Sequence, residues 1–180
     1  NLGLSQELIE SHIAYDIGVK QLALELSEKL KAHLVMGDYS RLLIDLNRGI
    51  MDPTLISSIS HGIKIVQNYR LSSRDKKFRV NRIYNNYHNT IYKIIKREKI
   101  NLIISLHSFN PYYKKKKRNI KFGILSNSDR RYSDIIIEIL SKKGYRVGDN
   151  QPYEGNLMGD TMHRHGLRNG IPHTLIEIRN

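Results

Sequence analysis

Leu102-Ile103-Ile104-Ser105-Leu106, with His107-Ser108-Phe109 at its end, is the stretch on which the fold turns. A short apolar run with β-branched residues reads as a strand buried on both faces. Before it, Ser73 to Lys99 reads as a long helix, with Phe78, Ile83, Tyr87, Ile91, Ile94 and Ile95 forming an apolar stripe. After it come a basic loop, a strand near Lys121 to Leu125, and a helix over Ser133 to Lys142 that Gly144 stops. A short strand at Arg146 to Val147, a loop over 149–170 and a last strand over Thr174 to Ile178 complete the C-terminal half. Toward the N-terminus, Ser5 caps a helix over Gln6 to about Tyr15, and a second helix spans Asp16 to Lys31. Leu34 to Gly37 and Arg41 to Leu46 read as strands, and residues 49–72 as a long loop with one turn of helix. Strands alternating with helices define an α/β fold, a mixed and largely parallel sheet flanked by helices. No internal repeat or interior linker divides the chain, so residues 1–180 read as a single domain.

Composition narrows the function. With no cysteine the chain has neither disulfides, thiolate metal sites nor a cysteine nucleophile, which fits a cytoplasmic location. No uninterrupted apolar stretch is long enough to cross a bilayer, and no secretory signal is visible, so no membrane partner is expected. The net charge of +13 and the run Lys114 to Arg118, which follows Tyr112 and Tyr113, invite a reading as a basic nucleic-acid-binding module. Basic residues are spread over the whole chain, however, and a solvated loop accounts for the run more simply. A positive field also steers small anionic substrates inward. Neither a Gly-x-Ser-x-Gly elbow nor a Gly-x-x-x-x-Gly-Lys phosphate loop occurs.

Four polar motifs close apolar runs: Asp45-Leu46-Asn47-Arg48, His107-Ser108, Asp149-Asn150-Gln151-Pro152-Tyr153 and Glu177-Ile178-Arg179-Asn180. Strand ends in α/β sheets are where side chains converge on ligands. His107 has the chemistry of a metal ligand, with a satisfied core histidine as the plain alternative. Glu177 stands between Ile176 and Ile178 and so faces away from whatever they bury, as a general base near a metal would. Arg48, with Asn47 beside it, suits a substrate carboxylate or an oxyanion, or else a salt bridge to Asp45. Tyr153 follows Pro152 and suits donation of its hydroxyl to substrate or to a tetrahedral intermediate, with an exposed loop tyrosine as the plain alternative. His163 and His165 lie two apart near Asp160, and on an extended segment both rings would share a face; His165 reads as lining the site.

Five motifs, in this order and across essentially the whole chain, resemble the N-formylglutamate amidohydrolase family. They are His12-Ile13-Ala14-Tyr15-Asp16-Ile17-Gly18, Tyr39 to Arg48, Ser105 to Pro111, Asp149 to Tyr153 and Ile176 to Asn180. The Asp-Leu-Asn-Arg, Ser-x-His-Ser and Glu-x-Arg pieces also resemble those of the zinc carboxypeptidases. The resemblance implies a zinc-carboxypeptidase-like architecture and a bacterial, zinc-dependent amidohydrolase of amino-acid catabolism. It would cleave N-formyl-L-glutamate, or a similar small anionic N-acyl amino acid, to formate and the free amino acid. By the same resemblance His107 is a zinc ligand, Glu177 and Arg48 are catalytic, and Asn47, Arg48, Tyr153 and His165 bind substrate. His88 is a further family-like position. A carboxypeptidase-like metallopeptidase is the alternative enzyme. The carboxypeptidases take two zinc ligands from a His-x-x-Glu segment that this sequence lacks. The remaining ligands are therefore expected upstream of Asn1, and no fully ligated zinc is expected within residues 1–180.

Overall fold

The computed structural model of the chain describes residues 2–180. A short helix α1 (Gln6–Ile9) begins at Ser5, whose hydroxyl accepts from the Leu8 amide. α2 (Val19–Leu30) follows Gly18, and a two-stranded hairpin, β1 (Ile59–Ser60) and β2 (Ile63–Lys64), leads to a single helical turn α3 (Val66–Tyr69). The long helix is continuous but changes pitch: α4 (Ser73–Arg79) passes through a π-helical segment, Val80–Tyr84, into α5 (Asn85–Arg97). β3 (Ile103–Phe109) comes next. A small hairpin, β4 (Tyr112–Tyr113) with β5 (Lys116–Lys117), then leads to β6 (Phe122–Leu125), α6 (Ser133–Lys142), β7 (Val147–Asp149) and β8 (His173–Arg179).

The central sheet has four strands in the order β3-β8-β6-β7. β3 pairs with β8 in parallel and β6 with β7 in parallel, while β6 and β8 run antiparallel. This is the mixed, mostly parallel sheet that the alternation of strands and helices implies. Side chains of neighbouring strands in register share a face. One face therefore carries Ile103, Ser105 and His107 of β3, His173, Leu175 and Glu177 of β8, and Gly123 and Leu125 of β6. Its apolar part, Leu125, Leu175 and Ile103, packs under Met162 of the loop between β7 and β8. Its polar part, His107 beside Glu177, lies toward the C-terminal ends of the parallel pair.

Two predicted strands do not form. Residues 34–37 are irregular, and residues 41–46 are a chain of turns in which Leu43 N–H donates to Ser40 and Asp45 N–H to Leu55. The apolar residues there are buried all the same. Leu42 packs with Ile13, Ala14 and Ile65, and Ile44 with Leu55 and Tyr84, so the pattern reports burial without a ladder partner. The first helix also stops six residues short of Tyr15, and a turn at Ser11–Ala14 replaces it. The basic run forms the tip of the exposed hairpin, with Lys114 and Lys115 in the left-handed conformation. Among the described residues no helix is long and apolar enough to cross a membrane.

Candidate active site

His107 and Glu177 are direct register partners on β3 and β8, so adjacent parallel strands hold an imidazole and a carboxylate side by side on one face. A third group reaches this pair from the turn before α2. Asp16 Oδ2 lies 2.7 Å from His107 Nδ1, and Asp16 Oδ1 lies 3.0 Å from a terminal nitrogen of Arg41. Ser105, two residues earlier on the same face of β3, places its hydroxyl 3.0 Å from His107 Nε2. Both ring nitrogens are thereby held, and the imidazole has a fixed orientation. Glu177 is 8% exposed, and its Oε2 is buried with no hydrogen-bond partner. A buried polar atom without a partner inside a charged cluster points to a functional constraint rather than to packing.

The electrostatics follow from this geometry. Burial pushes the Glu177 carboxyl up, and Asp16 adds to that, while His107, Arg41 and Arg118 pull against it; the balance is a raised pKa. Burial would lower the His107 imidazole, but the Asp16 carboxylate in contact with it outweighs burial and raises it. Burial would raise Asp16, yet His107 and Arg41 together hold it below the ordinary carboxylate range. Asp160, buried in the loop before β8 and raised by that burial, stands within electrostatic range of His107. A carboxyl held high beside an imidazole held high is an arrangement suited to moving protons near neutral pH.

The loop after β7 approaches this face because β6 has a glycine there. Gly123 is the register partner of Glu177 on the other side, and a Cβ on it would fall 2.1 Å from the Gln151 carbonyl oxygen. The missing side chain admits the Gln151-Pro152 peptide, which is cis, and Tyr153 behind it. Tyr153 is 45% exposed and lies 5.4 Å from the Arg118 guanidinium.

Of the residues singled out in the sequence, the structure brings His107 and Glu177 together, and Tyr153 stands in the electrostatic neighbourhood of Arg41, which ties it to the cluster. His107 lies within β3, two residues before its end, rather than beyond it. Arg48 has local partners: its Nε donates to Thr54 Oγ1 and a terminal nitrogen to the Asn47 carbonyl. Among the described residues no hydrogen bond or ion pair joins Arg48 to the cluster, and the guanidinium that faces it is Arg41's. Asn47 accepts the Thr161 amide with its side-chain oxygen, fastening the 45–49 turn to the loop before β8. His163 and His165 lie in a π-helical turn (Met162–Gly166), not on an extended segment, so they do not act as a pair. The Gly159 amide donates to His163 Nδ1, and His165 Nε2 lies 2.9 Å from His88 Nδ1 in a buried contact. Asp16 and Arg41 were not singled out as site residues. The signal was available, since both sit inside the motifs that carry the family resemblance.

The donors at His107 and Asp16, one imidazole nitrogen and one carboxylate oxygen in contact, are of the kind zinc takes. Their number is short of the three or four a zinc site uses. Among the described residues no group of three or more histidine, aspartate or glutamate side chains is placed to hold a metal ion.

Fold and cluster together define an α/β protein with a buried imidazole–carboxylate cluster toward the C-terminal ends of parallel strands. The profile of the N-formylglutamate amidohydrolase family matches residues 2–180, and the chain belongs to that family, whose members are hydrolases acting on an amide. Among solved structures it is similar to the gene product Atu2144 of Agrobacterium tumefaciens, with 32% identity and a TM-score of 0.93 over 99% of this chain and 73% of that one. It shares its fold with an N-formylglutamate amidohydrolase of Ralstonia eutropha JMP134, at 21% identity and a TM-score of 0.56 over 77% of this chain and 61% of that one. No curated protein matches the chain.

Proposed function

We propose that the chain hydrolyses the amide of a small N-acylated amino acid, with N-formyl-L-glutamate as the substrate its family membership favours. The observation that carries this reading is the register pair His107–Glu177, with the free Glu177 Oε2 facing a cluster that already holds Asp16 and Arg41. Glu177 takes a proton from the attacking water and delivers it to the amide nitrogen as the C–N bond breaks, releasing formate and glutamate. A carboxyl whose pKa is raised by burial is suited to both halves of that transfer. Arg41, its charge partly balanced by Asp16, keeps a cation beside the point where negative charge develops on the carbonyl oxygen. Among the described residues His107 and Asp16 would be the donors to a zinc ion, which would polarise the carbonyl and acidify water. Asp16 and Ser105 meanwhile fix the His107 ring.

The test is formate release from N-formylglutamate, with zinc content measured on the same sample. Glu177→Gln, close to isosteric, should lower kcat by ~10²-fold or more if Glu177 moves the proton. Formate release at the wild-type rate in that variant removes the assignment. Cleavage of peptides without deformylation would mark a peptidase instead.

A further inference from the structure

Two arginines, Arg41 and Arg118, act on Glu177, and they are differently committed. Arg41 is ion-paired with Asp16. Arg118, at the foot of the β4–β5 hairpin, has no carboxylate paired with it among the described residues, although it stands within electrostatic range of Glu177. Its place is nonetheless fixed. The Arg118 amide donates to the Pro111 carbonyl, its own carbonyl accepts from an Arg179 guanidinium nitrogen at 2.8 Å, and one of its terminal nitrogens donates to the Asn110 carbonyl at 3.0 Å.

Three aromatic rings surround the guanidinium, with centroids 5.3 Å away for Phe109 and 5.4 Å for both Tyr113 and Tyr153. Rings packed around a guanidinium hold it in place and thin its hydration without consuming its N–H donors. Phe109 is buried, whereas Tyr113 and Tyr153 are exposed, and Tyr153 follows the Gln151-Pro152 peptide that packs over Gly123, the register partner of Glu177. An arginine kept only as a strut needs the single bond to Asn110; the remaining donors of Arg118 are pre-positioned and unspent.

We infer that Arg118 binds a carboxylate of the substrate and so determines specificity at this site. The inference rests on the reading of the cluster as the amidohydrolase centre. It assigns the selection of acidic substrates to one caged guanidinium rather than to the general positive charge of the hairpin. Lys114 to Lys117 are exposed, and solvated charges of that kind attract anions without fixing them.

The experiment compares wild type, Arg118→Ala, Arg118→Lys and Lys116→Gln on three substrates. These are N-formylglutamate, N-formylglutamine, which lacks the side-chain carboxylate, and N-formyl-4-aminobutyrate, which lacks the α-carboxylate. Arg118→Ala should raise KM for N-formylglutamate about tenfold or more with kcat within about threefold, since a lost charge-assisted bidentate contact acts on binding. One of the two truncated substrates should become insensitive to the substitution, and that one identifies the carboxylate Arg118 holds. Arg118→Lys should fall between the two, and Lys116→Gln should match wild type at the same salt concentration. Calorimetric binding of glutarate supplies a readout without turnover, and it too should weaken about tenfold or more in Arg118→Ala. Equal losses on both truncated substrates, an equal effect of Lys116→Gln, or unchanged glutarate affinity in Arg118→Ala would overturn the inference. If wild type releases no formate, the amidohydrolase reading fails on its own, and the glutarate titration still decides Arg118.

Discussion

A carboxylate placed in the middle of a strand has no choice of face. Ile176 and Ile178 fix the orientation of Glu177, and the parallel register then sets it beside His107. These two residues were legible in the sequence because strand alternation is a rule with a period. Asp16 and Arg41 have no such rule, since each sits in a turn where no period says which way a side chain points, and only the motifs that contain them mark them. Arg48 is less determined. Its residue type suits an anion clamp, and on its turn the long side chain also finds Thr54 and the Asn47 carbonyl close by. The contact between Asp16 and His107 gives a direct check. Asp16→Asn removes the carboxylate that orients the ring, so activity should fall by roughly 10- to 100-fold. Wild-type activity in that variant would place Asp16 outside the site.

Elements are more legible than turns. The strands expected over 102–106, 121–125 and 174–178 form over 103–109, 122–125 and 173–179, and the helix over 133–142 forms as expected, because apolar runs and a glycine stop mark them. The strands expected at 34–37 and 41–46 fail because burial there is achieved by packing against turns and helix ends, with no neighbouring strand to pair. The π-helical segment Val80–Tyr84 has no sequence signature either. It brings Tyr84 into the core, where its hydroxyl donates to the Arg48 carbonyl and accepts from Arg164. At this scale the sharpest dependence is that of β6 on Gly123. An alanine Cβ would fall 2.1 Å from a backbone oxygen of Gln151 and 3.2 Å from the Pro152 ring, so the loop rather than a side chain must move. Gly123→Ala should cost about 1–3 kcal/mol in stability and displace Tyr153, with a fall in kcat/KM. Gly144→Ala meets no atom within 4 Å and is strained only by its positive φ, so it should cost about 1 kcal/mol and leave kcat/KM unchanged. Equal effects of the two substitutions on kcat/KM would show that the loop does not need the gap at Gly123.

A buried contact between α5 and the π-helical turn before β8 makes the stability of the fold depend on pH. His88 of α5 and His165 of the π-helical turn before β8 are each 4% exposed, with ring nitrogens 2.9 Å apart and planes stacked at 23°. Such a pair is stable when both rings are neutral, one donating and the other accepting. The groups packed around them disfavour charge. Tyr84 and Tyr87 lie edge-on to His88 and present no anion, and the Arg164 guanidinium stands beside both histidines. Burial first, then Arg164 and the neighbouring imidazole, lower His88 to about 3; burial and Arg164 lower His165 to about 4. In the unfolded chain both titrate near 6.5, so between pH 6.5 and about 4 the unfolded state binds more protons and stability rises with pH. The contribution is therefore complete above pH 6.5 and is lost as the pH falls toward the folded-state values, by an amount on the order of 3 kcal/mol for each histidine at pH 4. Asp129, held near 2 chiefly by its bond to Arg131, loses its own contribution only below its ordinary range, between about pH 4 and 2, so the two windows are separable. Urea unfolding at half-unit steps from pH 7.5 to 4 should show stability falling through this range, and His165→Asn should flatten the slope whatever it does to stability at pH 7.5. An unchanged slope in that variant would mean that the pair does not carry the acid sensitivity of the fold.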